Sequence, residues 1–378
     1  MASLDFVYFD AGGGHRSAAT ALHAVIGRER RPWHVRLVNL NDVLLPADIL
    51  KKLTGRGLQD IYNLLLRYGW TLGMPQLLPL MHGLIRLRHS SAVELLARYW
   101  GRTPTDMVVS LVPQFNRAMS EAFRAVNPQG HYVTVLTDMA DYPPHFWIER
   151  VDQDVICGTP RAVQQALAAG LPSECVHRVS GMILKPEFYE QGTHDSHDGR
   201  RRLGLDPETP TGLVLFGGYG APSMYGIARR LQSVSRPLQL ILICGHNRKL
   251  ADRLRTLRSR IAMHVEGFTS EVPRFMQLAD FLIGKPGPGS ISEAVAMKLP
   301  VIVEKNAWTM PQERYNADWV VENGVGIVVR SFRGIRGAIE RLLEPGVLEK
   351  CRARAAAIDN RAVFEIPNIL QRILDGGK

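Results

Sequence analysis

Leu4-Asp-Phe-Val-Tyr-Phe-Asp10-Ala-Gly-Gly-Gly-His15-Arg16-Ser17 sets an apolar run before three glycines, and the helix-forming segment Arg16–Gly27 follows it. A strand that enters a helix through a glycine turn opens a parallel sheet wrapped by helices. The same order returns where Leu213–Phe216 runs into Gly217-Gly-Tyr-Gly220-Ala-Pro222. Working outward from the first stretch, Val35–Leu40, Met107–Val112, Tyr132–Thr137, Val155–Thr159 and Val176–Ser180 continue a strand–helix rhythm. From the second, Leu238–Cys244, His264–Glu266, Phe281–Gly284, Val301–Glu304 and Gly326–Val329 do the same. The expectation is an α/β protein with two Rossmann-like parallel-sheet domains.

The domain pattern follows from composition. Residues 1–184 form the first domain and 211–345 the second. The charged, turn-rich stretch 185–210 reads as a linker, and 346–378 as C-terminal helices packing back on the first domain. Residues 42–104 interrupt the first domain with leucines, aromatics (Tyr62, Tyr68, Trp70, Tyr99, Trp100) and basic residues. They read either as a membrane- or acceptor-facing insertion or as the buried faces of ordinary helices. Within them, Tyr68–Ile85 lacks Lys, Arg, Asp and Glu but is broken by Gly69, Gly73, Pro75, Pro79 and Gly83, which suits an interfacial segment better than a spanning one.

The 378 residues carry 46 Lys and Arg against 36 Asp and Glu, a formal net charge of +10 that favours an anionic partner. No aromatic–basic RNA motif or recognition-helix pattern accompanies it, so nucleic acid is not the expected partner. Four scattered cysteines, without a C-x-x-C pair, argue against a disulfide scaffold and a cysteine zinc site. No basic segment precedes the first apolar run, so no secretory signal is read.

Four motifs carry chemistry. In Asp10–Ser17, Gly13 and Gly14 allow close approach of a ligand to backbone amides at a helix start, and His15 is a candidate base or a helix-capping group. The run is neither G-x-G-x-x-G nor a Walker loop. Gly217, Gly218 and Gly220 precede another helix start and suit a pyrophosphate. In Gly284-Lys285-Pro-Gly-Pro-Gly289-Ser290-Ile-Ser-Glu293, a carboxylate in the first helical turn can accept from a ribose diol or simply face the helix dipole. Pro311-Gln312-Glu313-Arg314-Tyr315-Asn316 sets an amide and a carboxylate where they can read sugar hydroxyls. Asp138 ends an expected strand and is a rival base or the group orienting His15. Asp152-Gln-Asp154 reads as a solvated turn, so no metal site is assigned.

In this order the motifs resemble the family 28 glycosyltransferases of GT-B architecture, above all monogalactosyldiacylglycerol synthases and processive diacylglycerol glucosyltransferases. The resemblance rests on Gly12–His15, Val135-Leu-Thr-Asp138, Phe216–Gly220, Cys244-Gly-His-Asn247, Glu266-Gly-Phe268, Lys285–Glu293 and Pro311–Glu313 with Asn316-Ala. It implies two domains facing across a cleft, with a UDP-sugar on the second. Gly217, Gly218, Gly220, Gly289 and Ser290 would hold the pyrophosphate, the backbone near Phe268 the uracil, and Glu293 the ribose. Gln312 and Glu313 would contact the hexose. On the first domain His15 would be the base, and Trp147 would lie near a lipid acceptor or headgroup. A proton taken up by His15 and amides at two glycine loops favour a single in-line displacement with inversion at the anomeric carbon; no cofactor is expected to be required, magnesium being a stimulant at most, and the charge and sequence suit a cytoplasmic protein peripheral on the inner face of an anionic membrane. A UDP-GlcNAc-using lipid transferase, a UDP-sugar epimerase and a degenerate UDP-binding protein are the alternatives.

Overall fold

The computed structural model describes residues 1–10, 13–44, 83, 87–190 and 196–376. They form two compact units. Residues up to 186 join 360–376 in the first, and Glu187–Asp359 make the second.

The first unit contains β1 (Ala2–Tyr8), β2 (Trp33–Asn39), β3 (Met107–Ser110), β4 (His131–Val135), β5 (Asp154–Cys157) and β6 (Val176–Arg178), all parallel in the order β2-β1-β3-β4-β5-β6. The second contains β7 (Thr211–Leu215), β8 (Gln239–Ile243), β9 (Met263–Glu266), β10 (Phe281–Gly284), β11 (Val301–Glu304) and β12 (Gly326–Val329), parallel in the order β12-β11-β10-β7-β8-β9. Both expected sheets are thus present. In the first unit each strand ends a residue or two sooner than the apolar runs suggested, because the last residues of those runs leave the ladder to build loops. β3 and β4 sit mid-sheet with helices on both faces, so Met107, Val108, Val109 and Val133 are wholly buried and read as unbroken apolar runs.

The helix Gly14–Arg28 buries Ala18, Leu22, Val25 and Ile26, a stripe at helical spacing against the sheet. The helix His89–Arg102 buries Ala92, Leu96 and Trp100 in the same way and packs on Asn116–Val126. Trp100 Nε1 donates to Asp5 Oδ2 at 3.0 Å, while Asp5 Oδ1 pairs with Arg36 Nε at 2.6 Å. Burial pushes the Asp5 carboxyl up, and those two partners pull it back. This end of 42–104 is therefore scaffold. Residues 45–82 and 84–86, with Tyr62, Tyr68, Trp70 and nearly all of Tyr68–Ile85, lie outside the described residues.

The stretch expected to be a linker is partly folded. A helix, Ser196–Arg202, carries Arg200 into the second unit, where Nε donates to the Leu278 carbonyl at 2.9 Å, Nη1 to the Pro207 carbonyl at 2.7 Å and Nη2 to Asp280 Oδ2 at 2.8 Å. A buried guanidinium with its donors used in this way is an anchor. The C-terminal helices divide. Val347–Ala356 packs on Pro288–Ala296 within the second unit, and Ala362–Leu374 packs on Gly14–Arg28 within the first. No described helix is long and apolar enough to cross a membrane.

In each sheet the strand order reverses at one place, between β1 and β3 in the first unit and between β7 and β10 in the second. Ligands of such sheets sit outside the carboxyl ends of the strands at that reversal. The first three chemical motifs begin at those ends, and the fourth, Pro311–Asn316, follows β11, the next strand beyond β10.

Candidate active site

In the first unit, Gly13 takes φ +82, a left-handed turn, and the helix begins at Gly14 without a side-chain cap. The next residue, His15, is half-buried. Its Nδ1 lies 3.0 Å from Thr137 Oγ1, beyond the end of β4, and the Leu111 carbonyl, beyond the end of β3, interacts with the ring. Packing around the imidazole lowers its pKa from the usual 6.5 to about 4, against the upward pull of that carbonyl. His15 is therefore neutral at physiological pH, the form that accepts a proton.

Asp138 was expected to orient His15. The hydrogen-bonding group found at Nδ1 belongs instead to Thr137, one residue earlier. Asp138 is buried, and its Oδ2 accepts from Trp147 Nε1 at 2.9 Å. The Trp147 ring lies 5.8 Å from that of His15, tilted by 50°. Trp147 was expected near a lipid acceptor or headgroup; it is wholly buried beside the His15 ring. The reason is Asp141, whose Oδ1 accepts from Trp147 N at 2.7 Å and whose Oδ2 accepts from His145 N at 2.9 Å. Asn116 Nδ2 donates to the Trp147 carbonyl at 2.8 Å. Trp147 is thus a fixed wall beside the imidazole.

In the second unit, the Gly217–Gly220 turn leaves the end of β7, and a Cβ at Gly217 or Gly218 would meet no atom within 4 Å. The turn is clamped from behind. Gly218 O accepts from His246 N at 2.9 Å, and a Cβ on Gly245 would stand 2.1 Å from Gly218 O. Its open side therefore faces away from β8. Phe268 is exposed and stacks on the His246 ring at 4.0 Å and 15°, with Tyr219 on the other side of that imidazole's neighbourhood at 5.7 Å.

Beyond β10, the helix Pro288–Ala296 starts with no side-chain cap, so its first amides are offered outward. Gly289 is exposed with open space where a Cβ would be, and Ser290 is half-buried. Glu293 falls in the second turn of this helix, not the first, because the helix begins at Pro288. Glu313 is buried and pairs with Lys285 Nζ at 3.2 Å. Gln312 is half-buried; its Nε2 approaches Met310 Sδ at 3.9 Å while its Oε1 is buried without a hydrogen-bond partner. Asn316, fully buried, donates from Nδ2 to the Pro286 carbonyl at 2.8 Å and leaves Oδ1 unmatched. Gln312 Oε1 and Asn316 Oδ1 are thus two buried amide oxygens without a hydrogen-bond donor in the structure.

Thr137, Lys285, Asn316 and Gly245 were not singled out from sequence as site residues, although each lies within or beside a quoted motif. A hydroxyl next to Asp138 and an amide one helical turn after Gln312 were the available signals.

Residues 218–373 match the glycosyltransferase family 28 C-terminal domain. The probable chloroplastic monogalactosyldiacylglycerol synthase of Glycine max is 27% identical over 360 residues, covering 90% of this chain and 65% of that protein. The probable monogalactosyldiacylglycerol synthase 2 of Oryza sativa subsp. japonica is 28% identical over 385 residues, 96% of this chain and 79% of that protein. The chain thus spans just under two thirds of the soybean relative. Among solved structures, Acinetobacter baumannii MurG aligns with a TM-score of 0.64 at 12% identity, over 98% of this chain and 99% of that one. Anabaena Alr3699/HepE in complex with UDP-glucose aligns with a TM-score of 0.56 at 16% identity over 100% of both. These likenesses establish the GT-B fold, and the glycine turns after β7 and β10 lie in or beside the family 28 domain.

Proposed function

We propose that the chain is an inverting glycosyltransferase that moves a hexose from UDP-galactose or UDP-glucose to the hydroxyl of diacylglycerol, forming a β-glycosyl lipid. The observation that carries this reading is the neutral imidazole of His15 held by Thr137 at the reversal point of the first sheet. The match of residues 218–373 to the glycosyltransferase family 28 C-terminal domain and the lipid-synthase relatives suggest the substrate class.

In this mechanism the acceptor oxygen attacks the anomeric carbon as the bond from that carbon to the diphosphate breaks. UDP departs with the electron pair, and the acceptor proton passes to His15 Nε2, the ring nitrogen turned from Thr137. A pKa of about 4 keeps the base unprotonated but makes it weak, so proton transfer runs together with leaving-group departure. Amides at Gly217–Gly220 and at the uncapped start of Pro288–Ala296 meet the charge growing on the diphosphate. Glu293 takes the ribose hydroxyls and Phe268 backs the base. Gln312, with Asn316, reads the hexose, while Glu313 is held by Lys285 beneath it. The enzyme works as a peripheral protein on the cytoplasmic face of an anionic membrane.

Purified protein incubated with radiolabelled UDP-sugars and diacylglycerol in mixed micelles tests the proposal. Labelled glycolipid with inverted configuration is expected, and His15→Ala should lower turnover roughly 10²- to 10⁴-fold. Interconverted free nucleotide sugar would indicate the epimerase, label from UDP-GlcNAc alone the other lipid transferase, and no turnover a degenerate binding protein.

A further inference from the structure

Asn116 opens the helix Asn116–Val126 and is fully buried, yet none of its side-chain bonds caps that helix. Its Oδ1 accepts from Ser110 Oγ at 2.6 Å and from Tyr132 Oη at 2.9 Å. Its Nδ2 donates to the Val112 carbonyl at 3.2 Å and to the Trp147 carbonyl at 2.8 Å. An amide side chain has two N–H donors and two acceptor lone pairs, so this one is saturated. Its partners come from the end of β3 and the residues just past it, from β4, and from the loop that carries Trp147. Two of those segments also touch the imidazole of His15. Ser110 and Val112 flank Leu111, whose carbonyl interacts with the ring, and the Trp147 indole lies 5.8 Å from it.

We propose that Asn116 is a positioning residue for the base, its one amide holding the Leu111 carbonyl and the Trp147 indole in place against His15. The inference rests on the reading of His15 as the base, whereas the network that carries it is independent of any substrate. The shell that Asn116 secures keeps water from the ring, and burial is what lowers the His15 pKa to about 4. The charged groups on the surrounding elements are engaged while the shell is intact. Asp138 accepts from Trp147 Nε1 at 2.9 Å, Asp141 from the backbone amides of Trp147 and His145, and Asp10 from Arg16 at 3.1 Å. His145 Nδ1 lies 3.2 Å from the Ile148 carbonyl. A loosened shell would admit water and release Asp138 from the indole. Both changes raise the proton affinity of the imidazole.

Asn116→Ala and Tyr132→Phe are compared with wild type in the full chain. Tyr132→Phe is the control for packing alone, because it removes one donor to Oδ1 and keeps both carbonyl ties. In Asn116→Ala the two segments remain joined by Gln114 N, which donates to the Phe146 carbonyl at 2.6 Å. The first readout is an NMR titration of the 12 histidines, with the His15 signal assigned by its loss in His15→Ala. The ring should titrate near pH 4 in wild type and in Tyr132→Phe, and at least one pH unit higher in Asn116→Ala. The second is transfer, where Asn116→Ala should lower kcat roughly tenfold or more at unchanged donor KM, and Tyr132→Phe should stay within about twofold of wild type. Should Asn116→Ala not fold, Asn116→Asp keeps the shape and the accepting oxygen but gives up donation to the two carbonyls, and the same upward shift is expected. A His15 ring that titrates as in wild type in either folded Asn116 variant overturns the inference. So does an equal shift in Tyr132→Phe. Failure of transfer with every UDP-sugar would sink the functional proposal, and the titration would still decide whether Asn116 sets the surroundings of the imidazole.

Discussion

At the residue scale, the arrangement turns on one hydroxyl. Thr137 Oγ1 faces His15 Nδ1 at 3.0 Å, so in the proposed mechanism Nε2 is the nitrogen that takes the acceptor proton. Thr137→Val keeps the shape and removes the hydroxyl. It should lower kcat roughly tenfold to a hundredfold with the donor KM and the melting temperature unchanged, and Thr137→Ser should restore most of the loss. A valine variant at wild-type turnover would remove Thr137 from the mechanism. The pH dependence has a definite sign. Because the folded pKa of His15 is about 4, the acid limb of kcat/KM should fall well below pH 6.5. The same depression means the unfolded chain binds this proton first, so stability declines as pH drops from about 6.5 toward 4. His15 was legible in sequence because glycines beside a histidine at a strand end are a strong combination. Its partner was not. Asp138 and Thr137 are adjacent, and which of the two faces the ring depends on where β4 leaves the ladder. The burial of Trp147 was not legible for a similar reason, because the pull of Asp141 on its backbone has no signature in the motif.

At the element scale, the two halves of the proposed donor site use glycine for opposite reasons, and substitution separates them. Gly245 sits at φ +57 with a would-be Cβ 2.1 Å from Gly218 O, so its missing side chain is filled by the neighbouring turn. Gly245→Ala should destabilise the second unit by about 2–4 kcal/mol, lowering its melting temperature by roughly 5–15 °C in calorimetry. Gly289 is inside a helix with open space at the Cβ position. There alanine should favour the helix by up to ~1 kcal/mol. Gly289→Ala should therefore keep or raise the melting temperature while raising the KM for the UDP-sugar, and an unchanged KM would mean that no donor approaches there. The twelve described strands were legible because a parallel sheet covered on both faces needs apolar runs, and Gly punctuates several exits, as at Gly158, Gly217, Gly245 and Gly267. The helix Ser196–Arg202 was not. Its charge and turn residues resemble a solvated connection, and the carbonyls of Pro207 and Leu278 that receive Arg200 are supplied by the fold.

At the scale of the whole molecule, the described chain leaves the first unit after residue 186 and returns at Asn360. The return is fastened by polar contacts that need both strands of the crossing. Asn360 Nδ2 donates to the Met182 carbonyl at 2.9 Å, Ser180 Oγ accepts from Arg361 N at 2.6 Å, and Glu365 Oε2 accepts from Ser180 N at 2.7 Å. The helix Ala362–Leu374 then buries Val363, Ile366, Ile369, Leu370 and Ile373, packing on the same helix that begins at Gly14 and carries His15. Five such side chains at about 1.5–3 kcal/mol each amount to as much as a domain's entire margin of roughly 5–15 kcal/mol. A chain ending at residue 359 should therefore lose the first unit while the second, which keeps Val347–Ala356 on Pro288–Ala296, still folds and binds UDP. Limited proteolysis followed by mass analysis should then recover a resistant core beginning near Glu187. A truncated chain whose N-terminal half survives digestion as well as the full-length protein would show that the last helix is dispensable to the sheet that positions the base.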